Sequence, residues 1–94
     1  FFYHPPRPLR VELQDRVELQ DRKEPRRVML TFEGTKHGWY EVARFWGPER
    51  LETSWWRGPS VRRDYFRVEI STGERFWIFR RIDDDYWFLH GAFG

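Results

Sequence analysis

An all-β or β-dominated fold is the architecture this sequence predicts: a curled antiparallel sheet or small open barrel of about five or six strands. Three observations carry the prediction. Short apolar runs alternate with polar residues from Arg27 to the end of the chain. Clusters rich in glycine or aspartate separate those runs at close intervals, as hairpin turns do. The aromatic run Arg75–Ile82 is apolar on both faces, which in so short a chain requires a strongly curled sheet or small barrel.

The elements follow in order. Phe1-Phe2-Tyr3-His4-Pro5-Pro6-Arg7-Pro8 is punctuated by proline, which fixes φ and removes a backbone donor. Residues 1–10 are therefore expected as a proline-rich leading segment, extended but outside any central strand, as an interdomain linker would be. Val11 to Arg16 is then repeated directly as Val17 to Arg22. The repeat has an even period, so in a strand Val11, Leu13, Val17 and Leu19 would share one face. Val28 to Phe32 is a strand candidate, closed by the glycine-bracketed turn Glu33 to Gly38. Trp39 to Trp46 is a second, expected to stop at Gly47-Pro48, and Glu49 to Ser60 reads as an irregular piece anchored by Trp55 and Trp56. Asp64 to Ile70 alternates cleanly, with Phe66, Val68 and Ile70 on one face and Tyr65, Arg67 and Glu69 on the other. Ser71 to Glu74 is the hairpin turn into Arg75–Ile82, which is apolar on both faces and is expected to be central and covered on both sides. Asp83-Asp84-Asp85 forms the next turn and Tyr86 to His90 the last strand.

With 94 residues of uniform composition, residues 1–94 are read as a single β-domain. The chain has no cysteine, so neither disulfides nor cysteine-ligated zinc staple it, and the six Trp, nine Phe and four Tyr must supply the core. A net charge of +2 excludes a polybasic tail. Arginine outnumbers lysine fifteen to two, which suits planar-acceptor recognition but also follows from GC-rich codon usage. No apolar stretch reaches the ~20 residues of a membrane span. Together with the lack of cysteine, this leads to the expectation of a cytoplasmic protein.

Enzymatic chemistry finds no foothold. His4, His37 and His90 are far apart and without cysteine partners, so neither a metal site nor a cofactor is expected. The aspartate run lacks the alternation of a calcium loop. Ser54, Ser60 and Ser71 sit beside turns, with no nucleophile elbow. No glycine-rich phosphate loop occurs. What remains is the interleaving of aromatics and arginines in Trp55-Trp56-Arg57, Arg62-Arg63-Asp64-Tyr65 and Arg75-Phe76-Trp77. Such patterns bind single-stranded nucleic acid by base stacking and phosphate pairing. They equally serve β-cores, where arginine stems cover tryptophan.

The ordered series Gly47 to Glu52, Trp55-Trp56, Arg63 to Phe66, Arg75 to Arg80 and Trp87 to Phe93 resembles the C-terminal portion of ImuB-type proteins, and Arg7 to Arg10 is similar to the approach to that region. The Trp-Trp and Arg-Asp-Tyr signatures also resemble related small domains of unknown function. ImuB-type proteins are Y-family polymerase homologues that have lost the catalytic carboxylates and act as adaptors in damage-induced mutagenesis. The resemblance implies a non-catalytic interaction module whose partners are an error-prone polymerase and a RecA-like accessory protein. DNA is the alternative partner. No clamp-binding peptide and no counterpart of the polymerase body is present, and the Val11–Arg22 duplication has no counterpart in the resemblance. The candidate binding residues are Trp55, Trp56, Arg57, Arg62, Arg63, Tyr65, Trp87 and His90. Asp64 is expected to pair with a nearby arginine, and His90 to hydrogen-bond a turn.

Overall fold

The structure, a computed structural model, describes residues 2–13, 24–30, 38–53 and 61–93. Six strands form it: β1 Phe2–Leu13, β2 Pro25–Leu30, β3 Gly38–Thr53, β4 Val61–Ile70, β5 Arg75–Arg81 and β6 Trp87–Phe93. Each pairs antiparallel with its neighbour in chain order, and β6 returns to β1. Among the described residues there is no helix. The all-β prediction holds, but the barrel is closed rather than open.

Closure depends on the leading segment, expected as extended but outside any central strand. Phe2, Arg7, Pro8 and Leu9 pair with β6, while Arg10 to Leu13 pair with β2. The register with β6 shifts between Phe2 and Arg7, where Pro5 and Pro6 fall. Proline is tolerated there because the interrupted ladder asks for no amide donor. Val11 and Leu13 pack toward the core, as an extended repeat requires; the second copy, with Val17 and Leu19, lies outside the described residues, as does the turn expected at Glu33–Gly38 except for Gly38, which opens β3.

A second correction concerns Gly47-Pro48. The strand expected to stop there continues to Thr53, because a bulge absorbs the pair: Trp46 opposes Arg67, and the next aligned partners are Glu49 and Tyr65. Gly47 makes this possible. Its φ is +127°, and a Cβ at this position would stand 2.6 Å from the Tyr65 carbonyl oxygen.

The interior is built by alternation. Phe66, Val68 and Ile70 of β4 point inward with Phe76 and Ile78 of β5, Trp87 and Leu89 of β6, and Val28 and Leu30 of β2. Phe66 and Trp87 meet at 5.5 Å between ring centroids. Burying each such side chain stabilises the barrel by about 1.5–3 kcal/mol. Among the described residues, the turns at Ser71–Glu74 and Asp83–Asp85 join β4 to β5 and β5 to β6, as their composition predicts. Gly73, at φ +94°, donates its amide to the Ile70 carbonyl at 2.9 Å. Asp85 takes φ 61°, a conformation aspartate tolerates. The strand expected at Arg75–Ile82 is realised as β5, which ends at Arg81 and is flanked by β4 and β6 as expected. Its outward face is covered only in part: Phe79 is 2% exposed, whereas Trp77 is 36% exposed.

Candidate functional site

Strand register decides which outward side chains meet. On the outer face one lateral row runs Trp46 on β3, Arg67 on β4, Trp77 on β5, Gly91 on β6 and Phe2 on β1. The next row runs Glu49, Tyr65, Phe79, Phe88 and Pro8. His90 is the extra residue where the β5–β6 register shifts, so it falls between the rows. Gly91 contributes no side chain, and across it the Phe2 and Trp77 rings meet edge to face at 5.4 Å.

Between the rows lies an open groove of about 630 Å³. Trp46, Leu51, Trp77 and Phe2 supply its exposed apolar lining, with the buried Phe66 beneath; Arg67, Glu49, Tyr65, His4 and His90 supply the polar groups. The four apolar side chains are 41%, 48%, 36% and 47% exposed, so large hydrophobic residues are gathered here in contact with water. The Arg67 guanidinium lies over the Trp46 ring, 5.6 Å from its centroid.

Behind the groove the sheet is tied by polar contacts. Arg63 Nη1 donates to the Tyr65 hydroxyl at 3.0 Å. That hydroxyl lies 2.9 Å from His90 Nδ1. Because arginine only donates, the phenol accepts from Arg63 and has its own proton to give to Nδ1 of a neutral His90. Burial, then the charges of Arg63 and His4, push the His90 pKa below its ordinary value of 6.5. Arg63 also covers Phe79, 4.5 Å above its ring, which explains how an outward phenylalanine is buried.

Most of the arginines are already occupied. Asp64, buried at the end of the inward row, accepts from Arg50 Nε at 2.9 Å and from Arg80 Nη2 at 3.0 Å. Burial pushes its carboxyl up, but Arg50 and then Arg80 outweigh that and hold it below the usual carboxylate range. Glu69 is shared by Arg44 and Arg75, whose hydrogen bonds hold its carboxyl low as well. The aspartate turn clamps neighbouring strands, Asp83 to Arg62, Asp84 to Arg81 and Asp85 to Arg80. Arg26 and Arg27 share Glu12. Among the described residues, Arg67 is the groove arginine without a carboxylate partner.

The candidates named from sequence fall in different places. Tyr65 and His90 line the groove. Arg63 lies behind it, and Arg62 is exposed at the strand end with Asp83. Trp87 is in the core, 8% exposed, against Phe66. Trp55, Trp56 and Arg57 lie outside the described residues. Asp64 pairs with arginine as expected, while His90 bonds a side chain of β4 rather than a turn. The groove residues Phe2, Trp46, Arg67 and Trp77 were not among the candidates. Hairpin counting across the Ser71–Glu74 turn would have set Arg67 opposite Trp77; Trp46 and Phe2 come from strands whose register depends on bulges.

Two curated relatives set this surface in context. Over 79 residues the chain is 43% identical to protein ImuB from each of two Caulobacter vibrioides strains, covering 70% of this chain and 17% of each relative. The chain thus matches an ImuB-related region and spans about a sixth of the length of the relatives it matches. No family model matches the chain, and no solved structure matches it significantly.

Proposed function

We propose that this chain is a non-catalytic protein-interaction module of a DNA-damage mutagenesis system, and that the outer groove is where it holds its partner. One observation carries the reading: four large apolar side chains stand exposed around a single groove, on a surface whose arginines are mostly neutralised by their own carboxylates. Apolar anchors in a concave patch are how protein interfaces concentrate binding energy. Tracking a phosphate backbone requires several free cations in line, and the groove lining offers Arg67 beside Glu49. The similarity to ImuB supports the mutagenesis setting. The partners to try first are those the family resemblance implies, an error-prone polymerase and a RecA-like accessory protein.

The alternative reading, single-strand nucleic-acid binding, draws on the same rings and on Arg67 over Trp46. The two separate in one experiment. The chain is immobilised and offered the purified polymerase and RecA-like protein, and in parallel titrated with single-stranded oligonucleotide at physiological salt. Capture of a protein partner, lost on Trp46→Ala with the fold intact, is the expected result. Submicromolar oligonucleotide binding abolished by Arg67→Ala, with neither protein captured, reverses the reading.

A further inference from the structure

We infer that the groove takes an extended segment of a protein partner in which an aromatic or branched aliphatic side chain is followed closely by an acidic residue, the apolar side chain lying between Trp46 and Trp77 and the carboxylate on Arg67. The inference deepens the interaction-module reading and rests on it.

The size of the groove points to a segment rather than a flat surface. At about 630 Å³ it falls within the range of clefts that enclose small ligands, enough for a couple of side chains. Its chemistry then sets what those side chains are. Trp46 and Trp77 flank Arg67 in one lateral row, because Arg67 is the register partner of both. An apolar side chain entering there has an indole on either side and the Arg67 guanidinium in the same row.

That guanidinium is available in a way the carboxylate-paired arginines are not. Arg44 and Arg75 converge on Glu69, Arg50 is held by Asp64, Arg62 by Asp83 and Arg81 by Asp84. Arg67 is exposed, lies over Trp46, and makes no ion pair among the described residues. A carboxylate from outside would complete the pattern that this protein repeats across its surface, and the planar fork favours such an acceptor. Glu49 gives the groove a direction. It opposes Tyr65, one row further along β4, so like-charge repulsion keeps an acidic residue away from that end and toward Arg67. A polyanion is disfavoured for the same reason, since its next phosphate would meet Glu49.

The test uses the full 94-residue chain and short blocked peptides in a Gly/Ser background, carrying Phe-Asp, Phe-Asn or Phe-Lys, with oligothymidylate as the competing probe. Binding is read from the indole N–H resonances of Trp46 and Trp77. The Phe-Asp peptide is expected to bind about fivefold more tightly than Phe-Asn, the scale of an exposed ion pair. The preference should vanish in Arg67→Gln and pass to Phe-Lys in Arg67→Glu, with Arg10→Gln as the surface control. Glu49→Gln should tighten Phe-Asp binding. Equal affinity for Phe-Asp and Phe-Asn, no peptide binding, or tighter binding of oligothymidylate at the same indoles each overturns the inference. If whole-partner capture is lost in Trp46→Ala yet unchanged in Arg67→Glu, the module reading stands and this inference alone fails.

Discussion

The Tyr65 hydroxyl stands 2.9 Å from His90 Nδ1, linking β4 to β6 across the outward face of β5. The two rings are 5.5 Å apart, and both edge the groove. A neutral imidazole accepts the phenolic proton; an imidazolium instead confronts Arg63.

That geometry makes stability depend on pH in a defined direction. The folded-state pKa of His90 is depressed, so its contribution is complete above the ordinary value of 6.5 and is lost as pH falls through the folded value. The His90 ring resonances should titrate below 6.5. The decline of the unfolding midpoint in that window should shrink in His90→Asn. An unaltered decline would place its origin elsewhere.

Asp64 and Glu69 act in the same direction at lower pH. Both carboxyls are depressed by arginine, so their stabilisation is present above the unfolded carboxylate values and disappears as pH falls through the folded ones. Asp64→Asn should cost on the order of 3 kcal/mol in denaturant unfolding, because it leaves Arg80, a largely buried cation, with only an exposed partner at Asp85. Loss of less than about 1 kcal/mol would mean that Arg80 re-pairs freely.

Two tryptophans that look alike in sequence should behave differently. Trp87→Ala empties part of the core beside Phe66 and should cost about 3–5 kcal/mol. Trp77 was expected to share that role on a strand covered on both faces. Being 36% exposed, with Phe2 and Phe93 as its ring contacts, it should lose only about 1 kcal/mol on replacement by alanine. Equal losses would contradict the outward placement of Trp77.

Gly47→Ala should destabilise by about 1–3 kcal/mol through backbone strain. Its added methyl meets the Tyr65 carbonyl oxygen at 2.6 Å, a backbone atom with little freedom to yield. Amide resonances of Trp46, Glu49 and Tyr65 should report a shifted bulge. A fully stable variant with unchanged resonances would show that the bulge does not need glycine.

Much of the architecture is determined locally and is therefore legible in the sequence. Alternation alone sorts Phe66, Val68 and Ile70 from Tyr65, Arg67 and Glu69, because successive strand residues must face opposite ways. The Ser71–Glu74 and Asp83–Asp85 turns announce themselves by residue type. The tertiary structure decided what depends on partners distant in the chain. Proline argued against a central strand at Pro5-Pro6-Arg7-Pro8, yet β6 offers an interrupted ladder on which that segment closes the barrel. Gly47-Pro48 read as a stop, yet a bulge opposite β4 carries the strand through. Aromatic composition could not say which ring faces inward. Trp87 is buried because it falls in the inward row beside Arg80, and Trp77 is open because Gly91, its neighbour on β6, offers no side chain to cover it. The groove is made of such pairings: Phe2 and Trp46 reach Trp77 from opposite ends of one five-strand row, and only the closed sheet brings them together.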